Sequence, residues 1–147
     1  MVGRAVRLLL AEDDENDASF LSRAFRKTGF PAPIERVTDG VEAVHRLLDE
    51  ELPRVTHLLL DVNMPLRSGL EVLEWLFGRG QGVRAAVLSS SRVEEDVRRA
   101  YELGAEFFLV KPACTRDLVD ICRQLGEWVR HDARPALSAN LLLRRPG

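Results

Sequence analysis

Five short, mainly apolar segments recur along the chain, and each is followed at once by polar residues. The segments lie at residues 8–11, 34–37, 58–60, 87–88 and 107–110, and the residues that follow them are Glu12-Asp13, Thr38-Asp39, Asp61, Ser89 and Lys111. Segments that are apolar throughout, without alternation, indicate strands buried on both faces of a sheet. The pattern therefore predicts a parallel sheet.

The stretches between these segments carry apolar residues at helical spacing. Ala18, Leu21 and Phe25 recur in the first stretch at the spacing of one helix face. The fourth stretch opens with the capping-box pattern Ser91-Arg92-Val93-Glu94, and the fifth begins with Thr115 in the capping position. Strand and helix thus alternate five times, which predicts a doubly wound α/β domain with helices on both faces of a five-stranded sheet.

The polar residues after the strands predict the chemistry of the site. The carboxyl ends of parallel strands share one edge, and open α/β sheets bind their ligands there. The carboxylates of Glu12, Asp13 and Asp61, the hydroxyl of Ser89 and the ammonium of Lys111 would all lie at that edge. Carboxylate oxygens suit a hard divalent cation, and lysine binds phosphate as a point charge. The set indicates a site for a divalent cation and a phosphoryl group.

Composition and charge exclude several classes of function. The length of 147 residues fits one domain, and a net charge of −2, from 21 basic and 23 acidic residues, gives no electrostatic basis for binding nucleic acid. No apolar stretch approaches the ~20 residues that span a membrane, and the first residues carry no signal segment, so we expect a cytoplasmic protein. Cys114 and Cys122 have no zinc-site spacing, and we expect reduced, packed thiols.

Four pieces of the sequence resemble the receiver domains of response regulators. They are LLLAEDD at residues 8–14, LLLDVNMP at 58–65 with Gly69 following, VLSSS at 87–91 and FFLVKP at 107–112. The resemblance covers roughly residues 6–130. It implies the flavodoxin-like (βα)5 fold with strand order 2-1-3-4-5, and a phosphorylation switch that is not a conventional enzyme.

The resemblance identifies Asp61 as the phosphoacceptor and implies a bound Mg²⁺ ion. Asp13 would bind this ion directly and Glu12 through water, while Asp61 and the backbone carbonyl of Asn63 would complete the protein ligands. Without the ion, the clustered carboxylates should have one or more raised pKa values. Asn63 and Ser91 match the positions that flank the attacking water and tune the lifetime of the phosphoryl bond, although Ser91 also fits a helix cap.

The resemblance also implies how the phosphoryl group is sensed. Lys111 would contact a phosphoryl oxygen, and its peptide bond to Pro112 is expected to be cis. The hydroxyl of Ser89 would turn inward to the phosphoryl group, and Phe108 matches the aromatic residue that moves with it. For Phe108, plain core packing is the alternative interpretation.

Domain boundaries and partners follow from the same comparison. Residues 1–130 are expected to form the receiver domain, and residues 131–147 a tail that is either frayed or docked on a partner chain. With so few residues after the fifth helix, we expect a stand-alone regulator that receives its phosphoryl group from a sensor histidine kinase or a phosphotransfer protein. The segments GFPAPIERVTDGVEAV and EEDVRRAYELGAEFFLVKP resemble single-domain receivers that pair with bacterial phytochrome kinases. Those receivers often dimerise through the fourth helix, fifth strand and fifth helix, or through the C-terminal segment.

Three alternatives share parts of this pattern. A pseudo-receiver scaffold works without phosphorylation, but it usually loses the acidic pair, the aspartate or the lysine, and all of these are present. A phosphatase of the haloacid dehalogenase type would need a second aspartate where Asn63 stands, and its acidic pair falls late in the chain. A flavodoxin-like cofactor binder would need a phosphate-cradling loop after the first strand, where Glu12-Asp13-Asp14 would repel phosphate.

Overall fold

The computed structural model describes residues 5–80 and 82–147, in which strands and helices alternate. The strands are β1 Leu8–Ala11, β2 Ile34–Val37, β3 His57–Leu60, β4 Arg84–Ser89, β5 Phe108–Val110 and β6 Leu142–Leu143. The helices are α1 Glu15–Thr28, α2 Gly40–Leu48, α3 Gly69–Arg79, α4 Glu94–Glu102 and α5 Thr115–His131. Residues 1–4, part of the stretch in which no signal segment was expected, lie outside the described residues. None of the described helices is long and apolar enough to cross a membrane.

The sheet has the order β2-β1-β3-β4-β5-β6. Its first five strands are parallel, which confirms the predicted order 2-1-3-4-5. The sixth strand is antiparallel and pairs Leu143 with Phe108 and Leu142 with Leu109 at the β5 edge. The prediction of five strands was therefore one strand short, because a two-residue strand has too few positions to show a period in sequence.

The apolar side chains of the strands alternate between two cores. Leu8 and Leu10 of β1 face the core formed with α1 and α5, whereas Leu9 and Ala11 face the core formed with α2, α3 and α4. Trp128 of α5 is 1% exposed and lies in the first of these cores. Burial of β1 on both faces is what a parallel sheet covered by two helical layers requires.

Aspartate side chains cap the first two helices. The carboxylate of Asp14 accepts a hydrogen bond from the backbone nitrogen of Asp17 at 2.8 Å and caps α1. Asp39 accepts from the backbone nitrogen of Glu42 at 2.8 Å and caps α2. Each cap places the start of its helix directly after a strand at the functional edge.

The capping box predicted at Ser91 is wrong. Helix α4 begins at Glu94 after Val93, and no side chain caps it. The backbone nitrogen of Ser91 instead donates to the hydroxyl of Ser89 at 3.1 Å, so its position is set by the preceding strand. The chain forms its capping box at the start of α3, between Ser68 and Glu71, where the sequence repeats the same spacing.

Three expectations about the connection from β5 to α5 are also wrong. The Lys111–Pro112 peptide bond is trans, as is every peptide bond among the described residues. The trans form is the intrinsically preferred one by about 0.5–1 kcal/mol. Cys114 is exposed and takes the position before α5 that was assigned to Thr115, so only Cys122 is a packed thiol. Burial raises the pKa of Cys122 to about 12.

The segment after α5 is held at several points along its length, so the frayed tail, one of the two expectations for residues 131–147, is wrong, while docking on a partner chain stays a prediction. The carboxylate of Asp132 pairs with the guanidinium of Arg84. Leu141 is buried, and its carbonyl accepts from the backbone nitrogen of Val110 at 2.8 Å. The three consecutive leucines at 141–143 supply the apolar surface that fixes this segment on the β5 edge.

Candidate functional site

Backbone hydrogen bonds align the ends of the central strands. The backbone nitrogen of Asp61 donates to the carbonyl of Ala11 at 3.2 Å, which fixes the end of β3 against β1. The backbone nitrogen of Lys111 donates to the carbonyl of Ser89 at 2.9 Å, which fixes the end of β5 against β4. The predicted site residues therefore meet at one edge of the sheet.

Three carboxylates at this edge form a group that fits a divalent cation. One oxygen from each of Glu12, Asp13 and Asp61 lies within 4.8 Å of the others. Glu12 and Asp61 are buried, whereas Asp13 is exposed, so a bound ion would keep contact with water as Mg²⁺ prefers. The backbone nitrogen of Asn63 donates to Oδ1 of Asp61 at 3.1 Å and orients that carboxylate. The role of the Asn63 carbonyl as a ligand stays a prediction.

The electrostatics of the group favour a bound cation. Burial raises the pKa of Glu12 even though Lys111 opposes this shift, and the charge of Asp61 raises it further. A carboxyl group with a raised pKa is one whose charged form lacks full compensation. A divalent ion among these oxygens would supply the missing positive charge. The carboxylate ligands and their electrostatics therefore both fit a divalent cation.

Lys111 is surrounded by carboxylates. Its Nζ lies 2.6 Å from Glu12 Oε1, 2.6 Å from Asp61 Oδ2 and 2.8 Å from Asp17 Oδ2. Burial disfavours the ammonium, but hydrogen bonds to the three carboxylates outweigh it and raise the pKa of Lys111. Lys111 therefore keeps its positive charge directly beside Oδ2 of Asp61.

Asp17 is the residue of this site that the sequence did not identify. It lies in the first turn of α1, where acidic residues are expected only because they stabilise the start of a helix. Its contact with Lys111 joins residues that are 94 positions apart. Nothing in the sequence distinguishes Asp17 from an ordinary acidic residue in the first turn of a helix.

Glycines bring the loop after Asp61 against the site. The backbone nitrogen of Gly69 donates to the carbonyl of Val62 at 2.9 Å, and a Cβ at Gly69 would overlap the carbonyl oxygen of Asp61. Gly40 contacts the backbone of Arg67 in the same loop, and a Cβ there would overlap the carbonyl oxygen of Arg67. Both close approaches require a residue without a side chain.

Ser89 and Ser91 are adjacent in space, and Phe108 is a core residue. Ser89 is fully buried at the end of β4, and its hydroxyl accepts from the backbone nitrogen of Ser91 at 3.1 Å. The hydroxyl of Ser91 donates to Asp96 of α4 at 3.4 Å, which links this position to the helix. Phe108 is fully buried in the core beside α4. Its burial agrees with both the switching and the packing interpretation, so switching stays a prediction.

The outer side of β5 carries a contact that the sequence did not predict. The hydroxyl of Tyr101 in α4 donates to the carbonyl of Leu143 at 2.6 Å. Leu143 is also the register partner of Phe108. The last strand therefore contacts both α4 and the proposed switch residue.

The family model for the response regulator receiver domain matches residues 8–123 of the chain. The chain belongs to this family. Receiver domains are the signalling switches of two-component systems, which agrees with the strand-end site described above. The matched family therefore agrees with the observed strand order and with the acidic group at the ends of β1 and β3.

Curated relatives share the receiver domain. The chain is 35% identical over 129 residues to the probable methanogenesis regulatory protein FilR2 of Methanothrix harundinacea, covering 82% of this chain and 81% of that protein. It is 34% identical over 141 residues to the transcriptional regulatory protein TctD of Salmonella typhimurium, covering 86% of this chain and 61% of that protein. The chain therefore spans less than two thirds of the length of TctD.

Solved structures of response regulators have the same fold. The Mn²⁺-bound form of response regulator Rcp1 superposes with a TM-score of 0.78 at 27% identity, covering 88% of this chain and 99% of Rcp1. The phosphorylated cyanobacterial phytochrome response regulator RcpA superposes with a TM-score of 0.78 at 27% identity, covering 89% of this chain and 98% of RcpA. One of these receivers is thus known with a divalent metal and the other in the phosphorylated form.

Proposed function

We propose that this receiver domain accepts a phosphoryl group on Asp61 in a Mg²⁺-dependent reaction and signals through changed protein contacts. The observation that carries the proposal is the 2.6 Å contact between Lys111 Nζ and Asp61 Oδ2, beside the group of three carboxylates. This arrangement pairs a nucleophilic oxygen with a fixed cation and a cation-binding group. The Mn²⁺-bound and phosphorylated relatives support the same chemistry.

In the proposed transfer, an oxygen of Asp61 forms a bond to phosphorus while the bond from phosphorus to the donor's leaving atom breaks. For a phosphohistidine donor, the leaving ring nitrogen keeps the electron pair and takes a proton from solvent. The ammonium of Lys111 contacts a phosphoryl oxygen and offsets its charge. A divalent cation bound by Glu12, Asp13 and Asp61, with the Asn63 carbonyl, would reduce the repulsion between the carboxylates and the phosphoryl oxygens.

The response to phosphorylation would begin at Ser89. Its hydroxyl is proposed to leave the backbone nitrogen of Ser91 and donate to the phosphoryl group, while Phe108 moves into the space this opens. The change would bias an existing equilibrium between two packings of α4, β5 and α5. Water then hydrolyses the aspartyl phosphate slowly, at a rate tuned by Asn63 and Ser91.

A sensor histidine kinase or a phosphotransfer protein is the proposed phosphoryl donor. The similarity to RcpA, a cyanobacterial phytochrome response regulator, supports a kinase of the phytochrome type. Transfer from such a kinase requires a phosphohistidine to reach Asp61 over the exposed Asp13 side of the site.

Intact mass after incubation with acetyl phosphate tests the proposed chemistry. We expect one added phosphoryl group on the wild type with Mg²⁺, and none on Asp61→Asn or without the metal, because Asp61 supplies the only nucleophilic oxygen of the reaction. Asp49→Asn, an exposed position, is the matched control and should be phosphorylated like the wild type. The same measurement with autophosphorylated kinases of the phytochrome type and of another type tests the donor class.

Two results would contradict the proposal. The first is an added phosphoryl group on Asp61→Asn equal to that on the wild type. The second is a folded wild-type chain that binds Mg²⁺ but takes up no phosphoryl group from any donor, which would favour a pseudo-receiver scaffold.

We also propose a homodimer, formed through α4, β5 and α5 or through the C-terminal segment. The last strand contributes only two residue pairs to the sheet, at an edge where another copy of the same strand would fit equally well. Exchange of residues 138–143 between two copies would keep the burial of Leu141 and the bond from Val110.

Molar mass from light scattering, before and after phosphorylation, tests the dimer. We expect a dimer in at least one state, and its loss in Leu141→Asp, because a carboxylate at this buried position would release the last strand. Leu52→Asp, at an exposed leucine, is the control and should stay dimeric. A dimer that survives Leu141→Asp would place the contact on α4, β5 and α5 alone, and a wild-type monomer in both states would contradict the proposal.

A further inference from the structure

Three carboxylates occupy the whole hydrogen-bonding capacity of Lys111. An ammonium has three N–H donors, and Nζ lies within 2.8 Å of oxygens from Glu12, Asp61 and Asp17. Glu12 and Asp61 are the two buried members of the group of three carboxylates that could hold a metal ion. Asp17 comes from α1, and its side chain is 40% exposed. It approaches the lysine from the solvent side, beside a cavity of about 350 Å³ that both residues line together with Phe20 and Pro112.

Asp17 is fixed in this position by a short chain of hydrogen bonds. Its backbone nitrogen donates to the carboxylate of Asp14 at 2.8 Å, and the backbone nitrogen of Asp14 donates to Oε2 of Glu12 at 3.1 Å. The same loop therefore places two of the three carboxylates around Lys111. A surface ion pair that formed by chance would lack this connection to the buried group.

We propose that Asp17 is a positioning residue for Lys111 that sets how much positive charge the lysine presents to the phosphoryl group. This inference rests on the proposed function. Transfer replaces the charged oxygen of Asp61 by phosphoryl oxygens, so the lysine keeps a partner on that side. The carboxylate of Asp17 is not changed by the transfer, and its negative charge remains bound to the same ammonium. It holds Lys111 in place and partly neutralises it.

Rates of phosphorylation by acetyl phosphate with Mg²⁺, followed by intact mass, test the proposal. Asp17→Asn keeps an acceptor oxygen but removes the charge, so we expect uptake about threefold to tenfold faster than in the wild type. Asp17→Glu restores the charge and should return the rate to within about twofold of the wild type. Glu15→Gln is the matched control, because Glu15 lies in the same helical turn, is 81% exposed and pairs with Arg36.

Two outcomes of the rate measurement overturn the proposal. A rate for Asp17→Asn equal to that of Glu15→Gln would show that Asp17 is an ordinary exposed ion pair. A slower rate for Asp17→Asn would show that its charge assists transfer.

A second readout does not require phosphorylation. The chain has two lysines, so the side-chain ammonium signal of the partly buried Lys111 can be separated by NMR from that of the exposed Lys27. We expect Asp17→Asn, but not Glu15→Gln, to shift this signal and to speed its exchange with solvent. An unchanged signal overturns the proposal. If the wild type takes up no phosphoryl group, the proposed function fails, while this signal still decides whether Asp17 positions Lys111.

Discussion

Replacing Lys111 with methionine is expected to slow phosphoryl uptake about 100-fold or more and to destabilise the fold at neutral pH. The lysine lies 2.6 Å from carboxylate oxygens of both Glu12 and Asp61, and both of these residues are buried. Methionine keeps the bulk of the side chain and removes its charge. Taking one partner from a buried ion pair costs about 3–5 kcal/mol, because the remaining charge stays buried without compensation. Urea unfolding in EDTA and the uptake rate by intact mass measure the two effects.

The stability loss in Lys111→Met should depend on pH and on metal. Burial raises the pKa of Glu12 above its unfolded value, and loss of the lysine removes the main opposing effect. A carboxyl group whose pKa is raised by folding binds its proton more tightly in the native state, so the variant regains stability as the pH falls towards the carboxylate range. Mg²⁺ should also reduce the loss, because it supplies the missing positive charge.

Lys27→Met is the control, because Lys27 is the other lysine of the chain and is exposed. Its free energy of unfolding should stay within about 0.5 kcal/mol of the wild type. A Lys111→Met variant as stable as Lys27→Met at neutral pH in EDTA would contradict the idea that Lys111 compensates the buried carboxylates.

Replacing Gly69 with alanine is expected to destabilise the chain by about 2–4 kcal/mol and to slow phosphorylation about 100-fold. The added Cβ would overlap the carbonyl oxygen of Asp61 and lie 2.5 Å from a methyl carbon of Leu60. A backbone oxygen cannot rotate away as a side chain can, so the end of β3 or the start of α3 must move. Either movement displaces the carboxylate of Asp61 from Lys111.

The same substitution at Gly78 is a matched control in the same helix. Gly78 lies near the end of α3, and a Cβ there meets nothing within 4 Å. Gly78→Ala should therefore stabilise the chain by about 0.5–1 kcal/mol through helix propensity and leave phosphorylation unchanged. If both variants have the same urea midpoint of unfolding as the wild type, the close approach at Gly69 does not constrain the site.

The strand-end residues were predictable because their pattern is local. An apolar run followed by Asp61 or Lys111 identifies both the strand and the residue at its end, and the topology then places these ends side by side. The site that the sequence predicted is therefore the one in which Glu12, Asp13, Asp61 and Lys111 meet.

The remaining features depend on distances that no local pattern contains. Asp17 reaches Lys111 only because α1 packs beside the start of α5, and its sequence position shows no more than an acidic first turn. Two stretches have the capping-box spacing, but only Ser68 forms the box, because the backbone of Ser91 is already bound to Ser89. The last strand is too short to show the alternation of a strand in the sequence. Its position is determined by pairing with β5, the edge strand that it covers.

The hydrogen bond from Tyr101 to Leu143 gives the molecule an intrinsic spectroscopic reporter. The chain contains one tyrosine, so its phenol ring gives a single set of signals in a tyrosine-labelled sample. The hydroxyl donates to the backbone of the last strand at 2.6 Å, and that bond exists only while the strand lies on the sheet. The chemical shift of the phenol carbon therefore follows docking and release of the strand directly, without any probe being attached to the protein.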